Sequence, residues 1–78
     1  MLVNLMDEGY ILSNKYRKTI FDSIIAGDNN INFIVKKHRI VKRIADKIVK
    51  DLEENGLIKV DGNVVEFTEE GEKLAEKI

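Results

Sequence analysis

Apolar residues recur along this chain with two different periods. Ile44, Ala45, Ile48, Val49 and Leu52 fall at i, i+1, i+4, i+5 and i+8, a stripe that predicts a helix over about 42–55 with one wide face turned to a core. Tyr16, Ile20, Phe21, Ile24 and Ile25 mark one face of an earlier helix, about 13–26, which Ser13 is placed to cap and Gly27 to close. Between them, Ile34 and Val35 give a shorter apolar face to a helix at about 31–38, with Asn30 as its cap. Ile40 stands alone after a polar run, as the apolar residue tucked under a tight bend between two crossing helices. The pattern then changes: Leu57 to Val60 and Val64 to Phe67 are β-rich and flank Asp61, Gly62 and Asn63, which predicts a short hairpin over 57–67. Thr68 is placed to cap a last helix, 69–78, with Glu69 and Glu70 in its first turn and Leu74, Ala75 and Ile78 on its apolar side. Gly9, Gly27, Gly56 and Gly62 all sit at expected boundaries, and the apolar opening Leu2, Val3, Leu5 and Met6 is compatible with a short helix or a strand.

The order is therefore three helices, a hairpin and a helix in one domain, 1–78, mainly α with a short β-hairpin. At 78 residues and 44% hydrophobic content the chain can build a small core but not a second domain. The absence of cysteine removes disulfides, thiolate metal sites and cysteine nucleophiles, and one histidine cannot form a multi-histidine metal site, so no metal or cofactor is expected. No apolar run approaches the roughly 20 residues of a membrane span, and Met1 to Met6 lacks the basic leader of a signal peptide, so the expectation is a cytoplasmic protein without membrane contact.

Charge changes the picture more than composition does. Between Lys36 and Lys50 lie seven cations, Lys36, Lys37, Arg39, Lys42, Arg43, Lys47 and Lys50, against the single Asp46; the rest of the chain has six basic and thirteen acidic residues. Lys42 and Arg43 fall at the start of the long helix, and Asp51, Glu53 and Glu54 near its end. This order opposes the helix dipole at roughly 0.3–1 kcal/mol per charge at low salt. A helix start that adds side-chain charge to its own dipole suits a polyanion. With a net charge of −1, such a ligand must be met by one face, because the remainder repels it.

The run DKIVKDLEENGLIKVDGNVVEFTEEGEKL, with Leu52, Gly56, Leu57, Ile58, Thr68 and Gly71 in a Leu-x-x-x-Gly-Leu-Ile … Thr-x-x-Gly pattern, resembles the small archaeal-type winged helix-turn-helix transcription regulators, the MarR/ArsR-like domains. The likeness covers about Gly9 to Ile78, and SNKYRKTIFDSI is similar to the first helix of archaeal members. The resemblance implies a three-helix core plus wing and C-terminal helix, with the helix at 42–55 entering the major groove of double-stranded DNA and the hairpin as wing. Arg43 and Lys47, one turn apart, are then the candidates for guanine edges. Asp46 could accept from a cytosine amino group but is better read as an intrahelical partner of Lys42 or Lys50. Lys36, Lys37 and Arg39 are expected at phosphates, with Lys42, Lys50 and the wing's Lys59 completing the surface.

The chain departs from the family pattern in three places. Arg39 stands where many such bends have glycine, which predicts a longer or differently shaped bend. His38 occupies an often apolar position and reads as a partly buried structural residue. The wing has Asp61 at its tip and only Lys59 as a cation, so a homodimer spanning two half-sites would help affinity, with Leu2 to Met6 and Leu74 to Ile78 as candidate interface segments. An enzyme is not expected: phosphate-binding glycine motifs are absent and His38 has no evident nucleophile beside it. Unpaired RNA is disfavoured because the basic window has no aromatic residue for stacking, and Tyr10, Tyr16, Phe21, Phe33 and Phe67 read as core or near-core. The competing expectation is a winged-helix interaction module that docks an acidic protein through the same basic face.

Overall fold

The computed structural model describes residues 8–78. Residues 8–12 are helical; α1 (Lys15–Ile25), α2 (Ile31–His38), α3 (Lys42–Glu54), β1 (Ile58–Asp61), β2 (Val64–Phe67) and α4 (Glu69–Lys77) follow. The chain is thus mainly helical with one antiparallel hairpin, and the apolar periodicity locates every one of the six named elements to within two residues. Leu2 to Met6 lie outside the described residues.

The first helix boundary differs from expectation. Asn14, not Ser13, caps α1: its Oδ1 accepts from the backbone N–H groups of Tyr16 and Arg17 at 2.9 and 3.0 Å. Ser13 instead closes the preceding helical turn, its backbone N–H donating to the Gly9 carbonyl at 2.8 Å and its hydroxyl to that of Tyr10. Gly9 accordingly is helical, as the second of the described residues.

The core lies between α1, α2 and α3 and is floored by the hairpin. Ile11, Ile20, Phe21, Ile34, Leu52, Ile58 and Val65 are its most deeply buried side chains, each contributing about 1.5–3 kcal/mol of burial. Phe21 of α1 meets Phe67 of β2 with ring centroids 5.0 Å apart, tilted by 53°, which ties the first helix to the hairpin. Ala45, Ile48, Val49 and Leu52 of α3 are all buried, as their spacing requires. Leu74 packs into this core and is not available as an interface residue. Tyr16, Ile25 and Phe33 are exposed, against expectation. In α1 the covered position next to Tyr16 goes to Arg17, whose guanidinium stacks 3.9 Å from the Tyr10 ring centroid.

The bend between α2 and α3 is short. Arg39 adopts the left-handed conformation, φ 54° and ψ 45°, that glycine usually supplies after a helix. The Ile40 N–H returns to the Val35 carbonyl at 3.1 Å, and Ile40 is buried beneath the bend. Arginine thus holds a left-handed position that glycine would take without strain.

In the hairpin, Ile58 pairs with Phe67, Lys59 with Glu66, Val60 with Val65 and Asp61 with Val64. Gly62 opens the two-residue turn at φ +62°, the sign a hairpin turn demands at that position. The other edge of β2 is covered: Val65 N–H donates to the Asn29 carbonyl at 2.9 Å and Ile31 N–H to that of Asn63 at 2.8 Å, with a single bridge between Asn30 and Val64. The hairpin is thereby stitched to the start of α2. Thr68 caps α4 through the Gly71 N–H, donates its own hydroxyl to the Gly56 carbonyl at 2.6 Å, and seats α4 against the end of α3.

Candidate nucleic-acid interface

Burial of one side of α3 dictates what the other side shows. With Ala45, Ile48, Val49 and Leu52 in the core and Ile44 packed against it, the outward positions are Lys42, Arg43, Asp46, Lys47 and Lys50, all exposed. On α2, Ile31 and Ile34 face inward, so Lys36 and Lys37 are exposed, and Arg39 is exposed at the bend. The two elements that carry the basic run are packed together, so its segregation in sequence becomes segregation in space.

Ion pairing sorts these cations. Lys42 Nζ lies 3.1 Å from Asp46 one turn on, so Asp46 forms the intrahelical pair expected of it. Lys37 Nζ lies 3.0 Å from Asp28. Lys36, Arg39, Arg43, Lys47 and Lys50 make no ion pair among the described residues. Lys59 stands apart on the hairpin, directly across the ladder from Glu66, and Asp61 sits beside the turn. The hairpin therefore offers no net positive charge.

The start of α3 is unlike the other helix starts. Asn14, Asn30 and Thr68 cap α1, α2 and α4 with a side-chain oxygen, and α4 adds Glu69, Glu70 and Glu72 in its first turn. Val41 precedes α3 with no side-chain cap, and no acidic residue lies in the first turn. Its first backbone N–H groups and the positive end of the dipole are open at this start, where Lys42 and Arg43 are the first two helical residues.

His38 has the structural environment expected of it. It is half-buried, with Nε2 3.3 Å from Ser23 Oγ; the buried Ser23 donates its proton to Asp28 Oδ2 at 2.6 Å, so the imidazole N–H is the donor to Ser23. The hydrogen bonds from Ser23 and Lys37 hold the Asp28 carboxyl below its ordinary value. In this arrangement Ser23 is not activated by His38, because its hydroxyl proton points to the carboxylate. An open groove of about 330 Å³ beside Asp28 also contains Glu66 and Glu72 and presents the opposite charge to the α2–α3 face.

Of the three aromatic and aliphatic residues exposed against expectation, Phe33 is the one beside the basic run. It is 52% exposed and has Lys37 Nζ 5.7 Å from its ring centroid, so an aromatic ring does lie beside the basic residues of α2. The signal was present: Phe33 is two residues from Ile31, about 200° around the helix and opposite the buried side. Among the described residues there is no cluster of potential metal ligands and no helix long and apolar enough to cross a membrane. Comparison of the chain with protein-family models, with characterised proteins and with solved structures yields no match.

Proposed function

We propose that the chain is a winged helix-turn-helix domain that binds double-stranded DNA, as a regulator of transcription, by inserting α3 into the major groove. The observation that carries the reading is the division of α3: one side is committed to the core, while the other presents Arg43, Lys47 and Lys50 without ion pairs among the described residues, behind an uncapped start. Arg43 and Lys47 lie one turn apart and are the candidates for base edges, where bidentate donation to guanine reads sequence. Lys36 and Arg39 supply phosphate contacts from α2 and the bend. Lys42 and Lys37 contribute less unless phosphate displaces Asp46 and Asp28 from them.

Titration of a fluorescent genomic-fragment duplex pool across a salt series tests this. About five phosphate neutralisations per bound subunit correspond to a slope of log affinity against log salt near −4.5. The double variant Arg43→Ala, Lys47→Ala is expected to fold and to lose most of the binding. A single cation on the hairpin, set across from Glu66, favours one alternative, docking of an acidic protein by the same face. Weak duplex binding that ignores both salt and the double variant would replace the DNA reading with that one.

A further inference from the structure

One edge of the hairpin is covered and the other is not. Because Val65 N–H donates to Asn29, away from β1, Val65 and Val60 form a non-hydrogen-bonded pair of the ladder. The N–H and C=O of Val60 therefore point away from β2, to an edge with no strand partner among the described residues. Lys59 and Asp61 flank Val60, exposed and on the opposite face of the strand from it.

We infer that β1 is a self-pairing edge whose partner is β1 of a second copy of this chain, antiparallel about a twofold axis at Val60. In that register the two Val60 residues exchange N–H···O=C bonds, and Lys59 of each copy falls directly opposite Asp61 of the other. Those two positions form the non-hydrogen-bonded pairs, where side chains approach most closely. Lys59 then lies between Glu66 of its own hairpin and Asp61 of the second copy, so charge alternates along the row through Glu66, Lys59 and that Asp61. Shortness and charge ordinarily blunt an edge strand. Here the two charges have opposite sign and straddle Val60, whose bonding groups, like those of Ile58, face outward, so the twofold operation turns them into complements. A displaced axis at Lys59 or Asp61 would set like charges against each other. The interface is isologous, so it closes at two copies and does not propagate. It is independent of the DNA-binding reading.

The test is made on the full chain without DNA. Sedimentation equilibrium from micromolar to millimolar concentration is expected to show a weak monomer–dimer equilibrium, and an equal mixture of isotope-labelled and unlabelled chain an intermolecular Hα–Hα contact between Lys59 and Asp61. Asp61→Lys makes both cross-copy pairs repulsive without disturbing a charge pair within the hairpin, and is expected to weaken the dimer about tenfold. The triple variant Lys59→Glu, Asp61→Lys, Glu66→Lys inverts the whole row and is expected to restore it. A chain that stays monomeric throughout, or a dimer that ignores Asp61→Lys, overturns the proposal. Circular dichroism of each variant separates lost pairing from lost folding.

Discussion

Replacing Gly71 with alanine probes how α4 is seated. A Cβ built at Gly71 would fall far inside contact distance of the Leu57 carbonyl oxygen and 2.9 Å from the Phe67 ring. The first obstacle is backbone, held by the Thr68 N–H at 3.0 Å and by the turn out of α3, and so it cannot rotate aside. To accept the methyl group, α4 must retreat from Leu57, which stretches the Thr68 bonds to Leu57 and Gly56 and loosens Phe67 against Phe21. Overpacking of this kind costs about 1–3 kcal/mol, and two weakened hydrogen bonds add about 1 kcal/mol each. The better helix propensity of alanine returns about 1 kcal/mol, leaving a net loss of about 2–4 kcal/mol. For a chain of this size that is a fall in Tm of roughly 10–30 °C.

Gly9 provides the internal control, because it is also helical and a Cβ there meets nothing within 4 Å. Gly9→Ala is expected to be neutral or stabilising by up to about 1 kcal/mol. Both variants would be compared with the wild type by thermal and urea unfolding followed by circular dichroism. A Gly71→Ala protein melting within about 3 °C of the wild type would refute the close seating of α4 on Leu57.

Asn14→Ala is expected to cost about 1 kcal/mol through the two first-turn N–H groups it leaves open, whereas Ser13→Ala should change the urea midpoint little. Arg39→Gly relieves a left-handed residue and should stabilise by about 0.5–1 kcal/mol, while reducing the magnitude of the proposed DNA salt slope by about 0.9. Asp28 has a folded-state carboxyl held below the ordinary 3.8, so the stability it confers is present above that value and is lost as pH falls through the lowered one. The difference in urea midpoint between wild type and Asp28→Asn should therefore narrow as pH is taken below about 4, and a difference that stays constant would contradict the Ser23–Asp28–Lys37 arrangement.

Where local chemistry decides, the chain was readable in advance. The stripe of Ala45, Ile48, Val49 and Leu52, the caps Asn30 and Thr68, the hairpin turn at Gly62 and the burial of Ile40 all follow from period and propensity. The misjudged positions are those where two local solutions compete or where distant segments meet. Ser13 and Asn14 both suit a cap, and the choice was made by the helical turn at residues 8–12, which consumes Ser13. Phe33 looks like core by composition, but its angular position excludes it. The stitching of residues 29–31 to β2 is invisible to any local pattern, since those asparagines read equally well as an isolated loop. The candidate site was legible as a charge run; its sorting into paired Lys37 and Lys42 and the remaining cations required the fold.

Three different departures from local stability rules fall within five consecutive residues, Arg39 to Arg43. Arg39 occupies a left-handed conformation at about 1–2 kcal/mol relative to its preferred ones. Val41 leaves the start of α3 without a side-chain cap, at about 1 kcal/mol relative to serine or asparagine. Lys42 and Arg43 place positive charge at the positive end of the helix dipole. Each has a simple remedy of the kind the same chain uses elsewhere: glycine at φ +76° after α3, Asn14, Asn30 and Thr68 as caps, and three glutamates at the start of α4. A sequence that gives α1, α2 and α4 a side-chain cap and sets three rules aside together at the start of α3 is spending stability for something other than folding. A bound polyanion answers all three departures at once: phosphate oxygens would accept from the open N–H groups of α3, neutralise Lys42 and Arg43, and give the strained Arg39 a partner. That coincidence makes a specific demand on the bound state. If the DNA-binding reading is correct, the duplex should slow hydrogen exchange most at the first-turn amides of α3, ahead of those in α1 or α4. Uniform slowing across the chain, or none at α3, would leave these departures without the ligand that the reading supplies.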